Sequence, residues 1–191
     1  MNSLSWANIF YPMKKLLIYL LPVFLVSCGE KPEKTENTPP EISYENKNPE
    51  EAIEDVLEQW HTAAGQADFE SYFSLMAEDA VFIGTDPTEN WHKPDFKEWS
   101  KPYFDRGQAW DFTSLERNIF TAETGETAWF DELLDTQMGI CRGSGVLVKE
   151  NGDWKIKHYV LSIAIPNENV SEVTELKKEF DNNFISKLNS K

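Results

Sequence analysis

The chain has 191 residues, 13% of them aromatic, which is enough for one domain with a core of its own. Its 33 acidic residues outnumber its 18 basic ones and give a formal net charge of −15 at pH 7. A chain this acidic repels phosphate backbones, which argues against nucleic acid as a partner.

A short apolar run near the start indicates secretion. The run, Leu16–Val26, follows Met13, Lys14 and Lys15, so a charged start precedes an apolar core. It is too short to span a bilayer as a helix, and small residues follow it where a signal peptidase would cut. We therefore predict a signal peptide over residues 1–27, with Met13 as its true start.

The run ends in Leu25-Val26-Ser27-Cys28, which resembles the lipobox of bacterial lipoproteins. The resemblance implies a lipid on Cys28, attachment to the membrane through that lipid, and a location in the bacterial cell envelope, at the outer membrane. A plain secretory signal with an incidental cysteine is the alternative. Lipidation would leave Cys141 alone, so a disulfide framework and a cysteine-rich metal site are not expected. The polar, proline-bearing residues 28–49, from Cys28 onward, predict a disordered tether.

Two helices are predicted to open the domain. Acidic residues behind Pro49 suit the first turn of a helix that ends at Gly65, and Asp68 can cap a second helix. The apolar residues of both recur at helical spacing, so each helix should bury one stripe. These residues are Ile53, Val56, Leu57, Trp60, Ala64, Phe69, Tyr72, Phe73 and Met76.

A short strand and a third helix come next. The strand, Ala80–Gly84, ends in a loop that holds Asp86 and Glu89. The helix lies within residues 91–107, and Pro102 is expected to bend or divide it.

The following part of the chain predicts an antiparallel sheet. A strand at Trp110–Phe120 precedes Thr127–Pro166, which has the composition and alternation of three consecutive strands. Asn151 and Gly152 suit a tight hairpin turn, and Asp135–Gly139 forms the other connection.

Residues 168–191 predict a C-terminal amphipathic helix. Its apolar stripe is Val173, Leu176, Phe180, Phe184 and Leu188. Such a stripe normally packs against another surface. It could cover the mouth of a pocket or meet a partner chain, but we favour packing on the same domain.

This order of elements resembles the SnoaL-like branch of the nuclear transport factor 2-like fold. The residues that carry the resemblance are Trp60–Asp68, Phe82–Pro87, Ala128–Leu134, Arg142–Val146 and Gly152–Ile156. It implies an α+β cone over residues 50–167, in which a curved antiparallel sheet wraps the N-terminal helices and an apolar pocket opens at the wide end. The C-terminal helix is an addition to that cone.

The resemblance does not select a reaction, because the superfamily includes isomerases, cyclases, dehydratases, binding domains and assembly modules. Its steroid-isomerase members place a tyrosine on the first helix and an acidic base at the end of the first strand. Trp60 and Gly84 stand at those positions here, so that chemistry is not expected, although Asp86 lies two residues further on.

Strand alternation suggests which polar side chains face the cone. A symmetric turn at Asp135–Gly139 would place Glu132 opposite Arg142, and His158 shares the parity of the apolar Trp154. Arg142 would then anchor an anionic group, Glu132 would orient it, and His158 would move a proton. A purely structural polar cluster is the alternative. The predicted inward set is Phe130, Glu132, Arg142, Ser144 and His158.

A second group of candidates surrounds the loop after the first strand. Asp86 is a further catalytic candidate, and Glu89, Trp91 and Trp60 are candidates for ligand contact. The alternative for Asp86 is that it caps a turn before Pro87. The spacing of these residues matches no metal motif, so neither a metal nor a cofactor is expected.

Together these patterns predict a membrane-anchored domain that binds a small, partly apolar molecule of unknown identity in its cone. Cofactor-free acid–base chemistry on that molecule is an open question. The alternative is a non-catalytic module for homodimerisation or for contact with another protein of the envelope.

Overall fold

The computed structural model describes residues 48–190, which belong to one structural unit, Ile42–Lys191. The predicted signal peptide, the predicted lipidation site at Cys28 and nearly all of the predicted tether lie outside the described residues. Within residues 48–190, no helix is long and apolar enough to cross a membrane.

The N-terminal helices begin where the sequence indicates, but the second one is shorter than predicted: Met76, expected on its apolar stripe, is the first residue of the following strand. Helix α1 spans Pro49–Gly65, and the Asn48 side chain caps it by accepting a hydrogen bond from the Glu51 amide at 2.9 Å. Helix α2 spans Phe69–Ser74 and is capped by Asp68. The predicted α1 stripe is buried, which confirms the amphipathic assignment.

Strand β1 spans Met76–Ile83 and pairs with a three-residue strand that the sequence did not indicate, β2, Asn90–His92. Helix α3 spans Lys93–Asp105 and is not divided at Pro102. Pro102 lies in the last turn of the helix, where the missing N–H costs the single hydrogen bond to the Glu98 carbonyl and the helix ends three residues later.

Four longer strands complete one six-stranded sheet: β3, Phe112–Thr121; β4, Thr127–Thr136; β5, Gly139–Glu150; and β6, Asp153–Ile163. The strand order is β2-β1-β6-β5-β4-β3, antiparallel except where β1 runs parallel to β6. The α+β architecture that the sequence suggested is confirmed. The predicted β5–β6 turn is also confirmed, because Asn151 and Gly152 adopt φ values of 54° and 95°.

The β4–β5 register differs by one residue from the symmetric turn expected at Asp135–Gly139. Gly139, at φ 81°, belongs to β5 and pairs with Thr136, so Glu132 lies opposite Gly143. A shift of one residue exchanges the two faces of a strand. Arg142 and Ser144 therefore face outward, and their predicted inward orientation is wrong.

A β-bulge changes the parity of β6. Val146 pairs with His158 but Leu147 pairs with Ile156, so Lys157 is an extra residue in β6. Trp154 and Ile156 face inward before the bulge, and Tyr159 and Leu161 face inward after it. His158 is therefore on the outer face, and its predicted inward orientation is also wrong.

The core lies between the inner face of the sheet and helices α1–α3. It is mostly aromatic, and its rings contact one another directly: Trp60, Tyr72, Phe73, Phe82, Phe96, Phe104 and Tyr159. Cys141, on β5, is a buried core residue with a free thiol.

Helix α4, Val170–Asn189, follows a short 3-10 helix at Asn167–Asn169. None of its residues is buried, and Leu176 is 79% exposed. The expectation that its apolar stripe packs on the same domain is therefore wrong.

Candidate functional site

Glu132 is a fully buried carboxylate on the inner sheet face, on β4. Its Oε1 accepts hydrogen bonds from His61 Nε2 at 2.9 Å and from the Tyr159 hydroxyl at 3.0 Å. Its Oε2 accepts a hydrogen bond from Arg117 Nε at 2.9 Å. A buried charge persists only when it is paired and hydrogen-bonded, and these three partners meet that need. We refer to Glu132, His61, Arg117 and Tyr159 as the Glu132 cluster.

Two glycines of β5 make room for this arrangement. A Cβ at Gly143 would lie 2.3 Å from the Tyr159 hydroxyl and 2.8 Å from Glu132 Oε1. A Cβ at Gly145 would lie 2.4 Å from the His158 carbonyl oxygen and 2.7 Å from the Phe130 ring. A larger residue would displace side chains at Gly143 and the neighbouring backbone at Gly145, so glycine is required by close approach.

Arg117 connects the buried carboxylate to the surface. It lies on β3 directly opposite Glu132, and its side chain is only 3% exposed. Its Nη1 forms an ion pair with Glu54 of α1, whereas its Nη2 lies 2.9 Å from Glu132 Oε2 without the alignment of a hydrogen bond. The same arginine lines a surface groove of about 370 Å³ whose other walls are Glu50, Glu51, Glu54, Asp55 and Ile119.

The protonation states of the cluster follow from burial and from these partners. Burial by itself would raise the pKa of the Glu132 carboxyl, but the hydrogen bonds and charges of His61 and Arg117 outweigh it and lower that pKa. Burial and the Glu132 charge raise the pKa of Tyr159 well above its usual range. Glu132 is therefore ionised at neutral pH, and Tyr159 is a neutral phenol that donates to it.

Two polar groups in the neighbouring aromatic core have no hydrogen-bond partner. They are Trp60 Nε1 and the Tyr72 hydroxyl, both fully buried. The two rings stack with centroids 4.9 Å apart, and Trp60 also meets the Tyr159 ring edge-on at 4.8 Å. The Trp110 indole approaches the Tyr72 hydroxyl without forming a hydrogen bond of ordinary geometry. Buried donors usually have a hydrogen-bond partner, so an acceptor atom at this position would satisfy both groups.

The structure separates the residues that strand parity had grouped together. Glu132 and Phe130 lie on the inner face. Arg142 lies on the outer face, 56% exposed and 3.8 Å from Asp131, and so does not reach Glu132. His158 is also on the outer face, where it pairs with Val81 and Val146.

The candidates after β1 form a closed turn. Asp86 accepts hydrogen bonds from the Thr88 amide at 2.8 Å and from its hydroxyl, and these bonds lower the Asp86 pKa. Glu89 accepts a hydrogen bond from the Asp86 amide at 3.2 Å. This geometry is that of a turn cap. The catalytic role of Asp86 and the ligand role of Glu89 remain predictions.

The two tryptophans predicted to contact a ligand have different surroundings. Trp60 belongs to the buried core, whereas Trp91 is half-buried and stacks on Trp99 with ring centroids 5.6 Å apart. Among residues 48–190, no group of three or more His, Cys, Asp or Glu side chains is arranged to hold a metal ion.

Sequence reasoning missed three members of the Glu132 cluster. His61 directly follows the buried Trp60 on α1 and is itself only 4% exposed. Arg117 and Ile119 lie on the same face of β3, because they are two residues apart. Knowing the β3–β4 register would have placed Arg117 opposite Glu132. Simple alternation along β6 places Tyr159 opposite in orientation to Trp154, because the sequence gives no sign of the bulge at Lys157.

The family model described as a SnoaL-like domain matches residues 53–166. No match is found among curated proteins. Solved structures with a similar fold include a nuclear transport factor 2-like protein of unknown function from Pseudomonas putida KT2440, which is 17% identical to this chain. The match covers 63% of this chain and 89% of that protein, with a TM-score of 0.53.

Two further solved structures show the same fold. A nuclear transport factor 2-like protein from Cytophaga hutchinsonii has 19% identity, with 62% of this chain and all of that chain covered, and a TM-score of 0.53. A domain of unknown function with a cystatin-like fold from Nostoc punctiforme has 14% identity, with 74% of this chain and 97% of that chain covered, and a TM-score of 0.54.

Proposed function

This chain belongs to the SnoaL-like domain family, and on that premise we propose that its cone binds a small, partly apolar molecule beside the Glu132 cluster. The observation that carries the proposal is the pair of unpartnered buried groups, Trp60 Nε1 and the Tyr72 hydroxyl. Leaving such groups unsatisfied costs about 1–3 kcal/mol each. A ligand that supplies an acceptor oxygen recovers that free energy.

The surroundings of these groups suit an apolar ligand with few polar atoms. The walls are aromatic rings, among them Phe82 and Phe96, whose centroids lie 4.2 Å apart. Ligand sites are typically apolar walls with a small number of fixed polar groups. Because these rings contact one another, the ligand is small and enters by displacing a side chain.

Any acid–base step in this site would be supported by the Glu132 cluster without a cofactor. Glu132 Oε1 already accepts two hydrogen bonds, so the carboxylate is placed to orient its partners more than to take a proton itself. The ionised carboxylate keeps a proton on His61 Nε2, the nitrogen from which it accepts a hydrogen bond. Imidazole is the side chain that most readily exchanges a proton near neutral pH, so His61 is the group of the cluster best suited to that role.

We also propose that the domain is held at the bacterial cell envelope through a lipid on Cys28. The support for this comes from the sequence: an apolar run with a charged start, followed by the lipobox-like tetrapeptide Leu25-Val26-Ser27-Cys28.

The alternative is a non-catalytic module for dimerisation or for contact with another envelope protein. It is favoured by the exposed apolar stripe of α4 and by the dense aromatic packing of the core. It predicts that the core binds no molecule and that Trp60 and Tyr72 serve packing alone.

Tyr72→Phe tests the ligand-binding proposal, with Tyr103→Phe as the matched control because Tyr103 is 38% exposed on α3. Thermal unfolding is measured for the parent and both variants against a metabolite library. We expect a compound with an acceptor oxygen to raise the Tm of the parent and the control. For Tyr72→Phe we expect roughly 5- to 10-fold weaker binding and a smaller shift.

The same measurement without ligand gives a second readout. Removing an unsatisfied hydroxyl should leave the Tm of Tyr72→Phe unchanged or raise it. If no compound shifts the parent and Tyr72→Phe lowers the Tm, the hydroxyl is already partnered in the empty core and the alternative module is favoured.

A further inference from the structure

Buried aromatic rings surround the unpartnered Trp60 Nε1 and the unpartnered Tyr72 hydroxyl. The rings in contact with these two residues are those of His61, Phe73, Phe82, Phe96, Phe104, Trp110 and Tyr159. Within the described chain, Trp110 is the one ring of this set that is not buried. A molecule that approaches the two unpartnered groups from solvent therefore meets Trp110 first.

Trp110 is the outermost ring of this part of the core. Its indole meets the Tyr72 ring edge-on with centroids 5.4 Å apart, and it lies nearly parallel to Phe96 with centroids 5.7 Å apart. It also meets the Phe104 ring edge-on at 5.4 Å. The indole comes close to the Tyr72 hydroxyl itself. Trp110 therefore occupies the place from which a small flat molecule would reach that hydroxyl.

The part of the chain that carries Trp110 is weakly held by its main chain. Residues 108–111 connect α3 to β3 and belong to neither a helix nor a strand. The Gln108 amide donates to the Tyr103 carbonyl at 3.2 Å, but the main chain of Ala109 and of Trp110 forms no hydrogen bond with another residue of the described chain. Segments with few main-chain hydrogen bonds open at a low cost in free energy. We refer to residues 108–111 as the Trp110 segment.

We propose that the Trp110 segment is a lid over the ligand site and that Trp110 leaves the core when the ligand enters. This inference rests on the ligand-binding function proposed above. The ligand takes the place of the indole against Phe96 and Phe104, where its acceptor oxygen meets the Tyr72 hydroxyl. Trp110 then determines which ligands bind, because the space that it vacates accepts a flat molecule of about the size of an indole. The closed lid competes with the ligand, so the apparent affinity falls with the fraction of molecules whose lid is open.

Binding of para-fluoroacetophenone, followed by fluorine NMR, tests the lid. This probe is a single aromatic ring with an acceptor carbonyl and no donor. The full chain carries Cys28→Ser, which removes the predicted lipid and avoids a detergent that would take up the probe. Trp110→Ala removes the side chain that closes the site, so we expect it to bind the probe about 5-fold or more tightly than the parent.

Trp99→Ala is the matched control. Trp99 is 37% exposed on α3, and its ring contacts those of Trp91, Phe96 and Tyr103 but neither unpartnered residue. This variant should bind the probe as the parent does. Trp110→Leu replaces Trp110→Ala if the latter fails to fold, as judged by circular dichroism.

A disulfide between α1 and the Trp110 segment would hold the lid shut. A Cβ at Gly65, the last residue of α1, would lie 3.6 Å from Asp111 Cγ, and a cysteine sulfur takes nearly the place of that Cγ. Gly65→Cys combined with Asp111→Cys therefore suits a disulfide. Cys141 is buried and does not compete for it. We expect the oxidised form to bind the probe about 10-fold or more weakly than the reduced form of the same protein, with the bond verified by a free-thiol assay.

Equal affinity of the oxidised and reduced forms would overturn the lid, and so would a Trp110→Ala variant that binds no better than the parent. Tyr72→Phe separates these outcomes from failure of the ligand proposal. If the lid variants behave as expected but Tyr72→Phe binds as the parent does, the lid is supported and the Tyr72 contact is contradicted. If no form binds the probe, Trp110→Ala included, the lid is overturned, whereas the ligand proposal is still tested by the metabolite library.

Discussion

At the scale of single residues, Glu132 is the most constrained polar side chain of the inner sheet face. It is 0% exposed, and each of its oxygens accepts at least one hydrogen bond from another cluster member. Removing one member of a buried ionic group leaves a buried charge without a partner. The free-energy cost of that unpaired charge is larger than the net stabilisation that the intact group provides. The stability of the domain therefore depends on the charge of this residue.

Glu132→Gln keeps the shape of the side chain and removes its charge. We expect this change to lower the free energy of unfolding by about 3 kcal/mol, because Arg117 is left buried without its full counter-charge. Asp131→Asn is the control, since Asp131 is the adjacent residue and lies half-exposed on the outer face. Urea denaturation of both variants measures the effect, and equal stability of Glu132→Gln and the parent would contradict it.

The same pair should show a defined pH dependence. The folded state lowers the pKa of Glu132 from its ordinary value of 4.5, so its contribution is fully present above that value. It is lost as the pH falls through the lower pKa of the folded state. The stability difference between the parent and Glu132→Gln should therefore be constant near neutral pH and shrink below about pH 4.5.

At the scale of elements, strand β5 is shaped by what its inner face must accommodate. Gly143 faces both Glu132 and Tyr159, and a Cβ there would meet the Tyr159 hydroxyl at 2.3 Å. The contact involves two side chains that are held by each other, so neither can move without breaking a hydrogen bond.

Gly143→Ala should therefore destabilise the domain by about 1–3 kcal/mol, the usual cost of overpacking a close contact. Ser144→Ala, at the next position on the outward face of β5, is the control and should change stability little. Thermal unfolding reports both. If Gly143→Ala leaves the stability of the domain unchanged, β5 and β6 can move apart at this point without a cost in free energy, and the expectation is contradicted.

The elements also show why part of the site could be predicted and part could not. The acidic first turn of α1, the Asp68 cap of α2 and the Asn151–Gly152 turn are local signals, and each was predicted correctly from a few neighbouring residues. The β4–β5 register depends on whether Gly139 belongs to the turn or to the strand. A one-residue error there reversed Arg142 while leaving Glu132 on the inner face.

The cluster itself depends on contacts between distant parts of the chain. His61 and Glu132 are 71 residues apart, and no local pattern links a helix to one particular strand position. The bulge at Lys157 cannot be predicted from the sequence either, because no special residue marks it. It determines that Tyr159, and not His158, faces the cluster.

At the scale of the whole molecule, the predicted anchor and the domain are separate units with separate tests. The strongly acidic composition gives the domain no attraction to anionic headgroups, so membrane attachment would depend on the lipid. Cys28→Ser removes the predicted lipidation site without touching the domain.

We expect Cys28→Ser to abolish incorporation of a labelled fatty acid and to leave the thermal unfolding of the domain unchanged. Cys141→Ser is the control for labelling, because Cys141 is buried in the core and should not be modified. Labelling that persists in Cys28→Ser would contradict lipidation at this position.

The proposed ligand lies in the cone where Trp60 and Tyr72 lack hydrogen-bond partners. Mass spectrometry of small molecules released from the natively purified chain would detect it, with Tyr72→Phe prepared in parallel. We expect one compound of discrete mass, bearing an acceptor oxygen, in near-stoichiometric amount from the parent and in clearly reduced amount from Tyr72→Phe. The absence of any such compound from the parent, or equal recovery from both proteins, would contradict it.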